Sequence, residues 1–228
     1  MTTIDTSIGD IVAADFRTAQ LFKEANIDFC CGGDMSLEDA CTVNGVDPDK
    51  FIKDLEAISE TPDQTGKNYK DWDLNFLCDY IINTHHKYVK KTLPDLLEYT
   101  QKIASVHGDT HPELIEVAHL FEQLEAELKQ HLAKEEEVLF PAIKEAISSN
   151  SAESKAIIAS EINRMATEHE FAGGTMDKIN HITDRYSLPE GACRTYEVCF
   201  KMLSEFEDDL HIHVHLENNI LYKKALKL

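Results

Sequence analysis

Long hydrophobic runs are missing from this chain of 228 residues. No stretch approaches the ~18 apolar residues that a membrane-spanning helix needs. The opening MTTIDTSIGDIV has no basic segment ahead of an apolar one, so a secretory leader is not expected either, and a cytoplasmic protein is. Basic residues are also few: 22 Lys and Arg face 42 Asp and Glu, a formal charge of -20. Such a surface repels phosphate backbones and attracts cations, which argues against nucleic acid as a partner. Glycine (9) and proline (6) are scarce. Alternating β-branched strings are absent, which leaves little from which to build a sheet. Six cysteines, at 30, 31, 41, 78, 193 and 199, are too dispersed for the disulfide framework of a small secreted domain, and thiols are expected.

What the chain does have is apolar residues at three- and four-residue steps, as in Leu120, Phe121, Leu124, Leu128 and Leu132. That period is helical, and the fold class expected is all-α. The polar stretch SETPDQTGKNYKD, 59–71, reads as a linker between a small helical domain at 1–58 and a larger one at 72–228. In the first domain Ser7 with Asp10, Ser36 with Asp39, and Asp47 before Pro48 resemble helix N-termini, predicting helices near 8–25, 37–44 and 48–58. In the second, four long helices are expected near 72–92, 111–147, 152–184 and 190–226. Pro94, Pro112 and Pro189 would mark the joints, and Pro141 would kink or end the second helix.

The larger domain repeats itself. HLAKEEEVLFPAI from His131 returns in outline as HVHLENNILYKKA from His213, 82 residues later. THHKYVKKTL from Thr84 returns as TEHEFAGGTM from Thr167, 83 residues later. Two matches at nearly one offset imply a duplicated helical hairpin, hence a four-helix bundle with pseudo-two-fold symmetry. Each half supplies one histidine on its first helix, His86 or His169. Each also supplies a His-x-x-x-Glu on its second, His131 with Glu135 or His213 with Glu217. Residues four apart share a helix face, and the flanking Val138, Leu139, Phe140 and Ile220, Leu221, Tyr222 place that face inward. Buried carboxylates and imidazoles need reconciling, and a metal does it. Four histidines and two glutamates suit two first-row ions bridged by both carboxylates, with iron the best match and manganese or zinc as alternatives. Register favours His86 over the adjacent His85. Glu127, Asp209 and Glu168 stand where acids could orient the ligands, or else face solvent. The other histidines, His85 and His215 among them, have no counterpart at the repeat offset.

With these residues in view, the chain resembles the repair-of-iron-centres family, the hemerythrin-like di-iron proteins also called iron–sulfur cluster repair proteins. DFCCGGDMSLEDAC resembles that family's N-terminal signature, and HLAKEEEVLFP and HVHLENNILY its two ligand helices. The resemblance spans almost the whole chain. It implies a hemerythrin-like bundle and a non-haem di-iron centre of two iron ions, oxo-bridged. The ligands implied are His86, His131, Glu135, His169, His213 and Glu217, with no departure at those six positions. It also implies clients that are iron–sulfur proteins damaged by nitric oxide or oxidative stress. The ligand set is smaller than that of oxygen-carrying hemerythrins, which speaks against simple oxygen carriage.

Cys30 and Cys31 are adjacent in CCGG. Neighbouring cysteines do not easily chelate one metal tetrahedrally, and a disulfide between them is strained. Gly32 and Gly33 would allow left-handed backbone and close approach, exposing the thiols on a turn. The helix starting near Ser36 would favour a thiolate. Such a catalytic pair could donate electrons, accept iron or be nitrosylated. Cys78, Cys193 and Cys199 read as core. The leading functional reading is iron donation for cluster repair. The alternatives are reduction of nitric oxide at the same centre and sensing of bound O2 or NO; nitrous oxide production separates the enzyme from the donor. A homodimer is compatible with the sequence.

Overall fold

A computed structural model describes residues 2–62 and 68–228. Residues 63–67 of the expected linker lie outside the described residues. Helices account for the architecture, and the described residues contain no strand beyond a single isolated bridge between Ser7 and Ser36. Two compact units are distinguished: one gathers the residues up to Leu77 with Val214–Leu228, the other is Cys78–His213. The sequence reading assigns 214–228 to the bundle; these last turns group with the N-terminal residues.

The N-terminal unit contains α1 (Ile8–Ala14), α2 (Ala19–Glu24), α3 (Leu37–Asn44) and α4 (Pro48–Ser59). The caps work as expected. Ser7 accepts from the Asp10 amide, Ser36 from Asp39, and Asp47 from Asp49 and Lys50 ahead of Pro48. The single helix expected over 8–25 is broken at Asp15. Its carboxylate accepts from the Arg17 amide at 3.1 Å and from Arg17 Nε at 2.8 Å, a local alternative to helical bonding. Ile8, Ile11, Val12, Phe22, Phe29, Leu37, Phe51 and Leu55 form the core of this unit.

The C-terminal turns are fastened to the Cys-Cys-Gly-Gly loop. Asn219 Nδ2 donates to the carbonyls of Phe29 at 3.2 Å and Cys30 at 3.0 Å. The Gly9 amide donates to the Gly33 carbonyl at 2.7 Å. A Cβ on either glycine would run into the buried Asn219 amide. Neither Gly32 nor Gly33 is left-handed, since among described glycines only Gly45 and Gly191 have positive φ. Close approach, and not backbone freedom, is therefore what this loop requires of them.

The bundle unit begins within α5 (Leu74–Ile81). It continues through a π segment at Ile82–His86 into α6 (Lys87–His107), then α7 (Glu113–Lys134), a π segment at Glu135–Leu139 and α8 (Phe140–Ser149). The long α9 (Ala152–Ile182) follows, and α10 (Arg194–His215) leads into a third π segment, Leu216–Leu221, and α11 (Tyr222–Ala225). α6 packs on α7, and α9 on α7 and α8, giving a four-helix bundle with the small helical domain beside it in the chain. Pro94 is not a joint: the helix runs through it to His107. A proline there costs about 3 kcal/mol, and burial of Thr92, Leu93, Leu96, Thr100 and Ile103 along α6 outweighs it. Pro141 falls in the first turn of α8, where a missing N–H is tolerated, and the π segment before it takes up the irregularity. No helix among the described residues is long and apolar enough to cross a membrane.

The Asn219 fastening makes a double-mutant test. Gly33→Ala should destabilise by about 1–3 kcal/mol through overpacking. Most of that cost should vanish in an Asn219→Ala background, because the colliding amide is gone. Urea unfolding followed by the fluorescence of Trp72, the single tryptophan, reads this unit directly, since Trp72 packs on Tyr69 at 4.7 Å. Additive costs would mean Asn219 is not what the glycines accommodate.

Candidate metal centre

Five of the six expected ligands meet inside the bundle unit. His86, Glu135 and His213 offer ligand atoms within 4.8 Å of one another, and so do His131, Glu135 and His169. All five are buried, Glu135 and His86 completely. Glu135 Oε2 is the common point, 3.3 Å from His86 Nε2 and 3.2 Å from His131 Nε2. The His131 and His169 Nε2 atoms lie 3.1 Å apart, and the His86 and His213 rings 4.9 Å apart. The sixth, Glu217, follows His213 by four residues, on the π segment that continues α10, and is also fully buried.

Three of these helices deliver their side chains through π turns. His86 ends the first π segment, Glu135 opens the second, and Glu217 lies in the third. A π turn fits one extra residue and rotates the face that follows by about 100°. His169 is on uninterrupted α-helix, so the sequence repeat does not extend to the backbone of the third long helix.

The outward nitrogens are held by carboxylates. His86 Nδ1 meets Glu136 Oε1 at 2.8 Å, and Lys90 binds both Glu136 oxygens at 2.8 and 2.6 Å. His131 Nδ1 meets Glu168 Oε2 at 2.9 Å, and Lys134 meets Glu168 Oε1 at 2.5 Å. Burial pushes the Glu136 carboxyl up, but hydrogen bonds from Lys90 and His86 prevail and hold it below the usual range. For Glu168 the His131 hydrogen bond dominates; with Lys134 it overcomes burial and sets the carboxyl at about 2. Both acids are thus ionised, which assigns the Nδ1 proton to each histidine and leaves a lone pair on each Nε2 that could hold a metal.

This donor set fits a metal. Two lone-pair nitrogens converge on one carboxylate oxygen in a buried site. Without a cation that arrangement sets lone pair against anion, at a cost of several kcal/mol. Imidazole with carboxylate suits first-row transition ions.

The remaining candidates sort unevenly. Glu168 orients His131, whereas Glu127 is exposed on α7. Asp209 accepts from His85 Nδ1 at 2.9 Å and not from His213. His85 is buried and stacks on His213, rings 5.5 Å apart and 7° from parallel. His215 is buried too, beside Phe29 and Asn219, and burial pushes it down to about 4. Val138 is exposed, not inward. Cys193 is half-buried with His107 Nε2 at 3.2 Å, whereas Cys78 and Cys199 are core. Glu136 escapes sequence reading; its one signal is adjacency to Glu135.

The thiols differ from expectation. Cys30 is buried and only Cys31 is half-exposed. Cys30 Sγ lies 2.9 Å from Asp28 Oδ1 and 4.0 Å from Cys31 Sγ. The Cys31 hydrogen bond, burial and the Asp28 charge all raise the Cys30 thiol well above its usual value. A helix end that favours a thiolate does not decide the chemistry here, because a carboxylate sits closer.

A helical bundle with inward histidines and a shared glutamate defines the hemerythrin class, and residues 79–225 match the hemerythrin HHE cation-binding domain family. Residues 4–59 match a family described as a domain of unknown function. The iron–sulfur cluster repair protein YtfE of Pectobacterium atrosepticum is 33% identical over 223 residues, 98% of this chain and 97% of the relative. The YtfE of Yersinia pseudotuberculosis is 34% identical, covering 97% and 96%. The iron–sulfur cluster repair protein ScdA of Staphylococcus epidermidis is 31% identical, covering 99% and 100%. The chain belongs to this family of iron–sulfur cluster repair proteins.

Glu168→Gln should lower metal affinity about 10–100-fold by loosening His131, measured by competition with a chelator. The same variant tests the acid limb of stability. The Glu168 carboxyl is held at about 2 against an ordinary 4.5, so its contribution is complete above about pH 4.5 and lost as pH falls toward 2. Metal-free Glu168→Gln should show a flatter stability curve across that window. An unchanged slope would show that the His131–Glu168 contact does not form.

Proposed function

We propose that the chain is a non-haem di-iron protein of the cytoplasm that repairs iron–sulfur clusters damaged by nitrosative or oxidative stress, by giving iron to clients that have lost it. His86, His131, His169 and His213 would each supply one imidazole, and Glu135 and Glu217 would each be shared between two iron ions. The observation that carries this reading is the single Glu135 oxygen set between the Nε2 atoms of His86 and His131. Glu217, at the equivalent place in the repeat and buried a turn from His213, supports the second shared carboxylate. The cluster-repair names of relatives matched end to end support the client class.

When bound, the iron pair supplies exchangeable metal and coordination positions not filled by protein. The chain's own residues set how firmly it is held. Glu136 and Glu168 fix the tautomers of His86 and His131, and Lys90 and Lys134 pin those acids in turn. Glu135 and Glu217 would be the ligands free to shift between one ion and both, whereas Glu136 and Glu168 hold the His86 and His131 imidazoles in place. Cys30 and Cys31 take part in passing iron to the client. The formal charge of -20 draws ferrous iron toward the surface.

Iron-loaded protein mixed with a cluster-depleted dehydratase should restore the client's activity, with iron leaving the donor in step. Glu135→Ala should retain less than half of the wild-type iron in metal analysis, because both ions lose a ligand. Iron that stays fully bound while the client remains inactive would rule out donation.

A further inference from the structure

We propose that Cys30, Cys31 and Asp28 form a second metal site, a receiving site for a thiophilic divalent cation, ferrous iron being the cargo. Only that choice of cargo rests on the iron-donation reading. The three side chains bring ligand atoms within 4.8 Å of one another. Sequence adjacency argues against easy chelation of one metal by both thiols, yet the two Sγ atoms are 4.0 Å apart. Two thiolates on a tetrahedral ion with metal–sulfur bonds of about 2.3 Å sit about 3.8 Å apart, so little movement is needed. A disulfide is the poorer outcome. Consecutive Cα atoms are about 3.8 Å apart across a trans peptide, short of the range of about 4.4–6.8 Å that a relaxed bridge requires.

The loop is built to hold this arrangement. Asp28 Oδ1 accepts from the amides of Cys30 at 2.8 Å and Cys31 at 3.0 Å, and Oδ2 from Gly32 at 2.9 Å. The carboxylate thereby winds the turn around itself and turns both thiols to one side. Asn219 fixes the carbonyls behind them, and Gly32 has no Cβ to strike the Asp28 carbonyl. Asp28 is exposed and Cys31 half-exposed, so the site opens to solvent on that side.

Charge selects the ligand. A bare Cys30 thiolate would lie 2.9 Å from a carboxylate oxygen, and the thiol accordingly keeps its proton when no cation is near. A divalent ion lets all three groups be anionic together. Binding forms two metal–sulfur bonds and releases the two thiol protons to water, with no change of oxidation state.

Cobalt(II) is the probe, added without oxygen to the reduced full-length chain. A thiolate-to-cobalt charge-transfer band should grow in the near ultraviolet and saturate at one cobalt per thiol pair, beyond whatever the bundle centre takes up. It should disappear in Cys30→Ser/Cys31→Ser and persist in Cys193→Ser, the control for the thiol beside His107. Asp28→Asn should weaken it about 10–100-fold. In the unaltered chain, cobalt should protect the peptide carrying Cys30 and Cys31 from alkylation, a readout that needs no variant to fold. Imidazole and carboxylate ligands in the bundle give no thiolate band, so failure of iron donation would leave this signal intact. The proposal is overturned by absence of the band, by its survival without Cys30 and Cys31, or by unchanged alkylation.

Discussion

The carboxylate of Glu135 is the constraint around which the bundle is organised. It is fully buried and meets two imidazole nitrogens at 3.2–3.3 Å, one from α7 and one from the π segment before α6. An ion in that position is tolerable only if opposite charge compensates it. The carboxylates behind the histidines, the lysines behind the carboxylates and the π turns that aim the ligands all follow from that need. Phe140, stacked 5.6 Å from His86, and Leu139 close the apolar wall that keeps water from compensating instead.

The repeat made most of this centre legible. Offsets of 82 and 83 single out the same six residues that the helices carry inward, and the caps at Ser7, Ser36 and Asp47 mark helix starts that the structure contains. Backbone irregularity was not legible. A π turn has no composition of its own, and helical periodicity reads through it, so Pro141 looks like a breaker when the turn before it has already accommodated it. Pro94 misleads for the opposite reason, since tertiary burial on α6 outweighs a local preference. At Asp15 a side chain competes with the backbone, and no apolar pattern reports that.

Duplication also explains where symmetry fails. The residue preceding His169 is Glu168, and its counterpart before His86 is His85. The residue following Glu135 is Glu136, and its counterpart after Glu217 is Asn218. Both carboxylates therefore back histidines whose hydrogen-bond acceptors sit on other helices, His131 and His86. The flat face of His85, itself turned by Asp209, lies against His213. The repeat keeps the candidate ligand positions while the residues behind them diverge, and Glu136 and Glu168 anchor His86 and His131 by charge.

The third π segment carries two obligations at once. Glu217 is on it, and two residues further Asn219 holds the carbonyls of Phe29 and Cys30 between Gly9 and Gly33. Single π turns inside helices recur at functional sites, and here Glu217 and Asn219 share one such segment of six residues. Asn219 and Asp28 grip the backbone of the thiol loop from two sides. Rigid fastening of the thiol pair to the segment that carries Glu217 ties the placement of that carboxylate to the placement of the thiols. Independent motion of the two would require breaking the Asn219 contacts first.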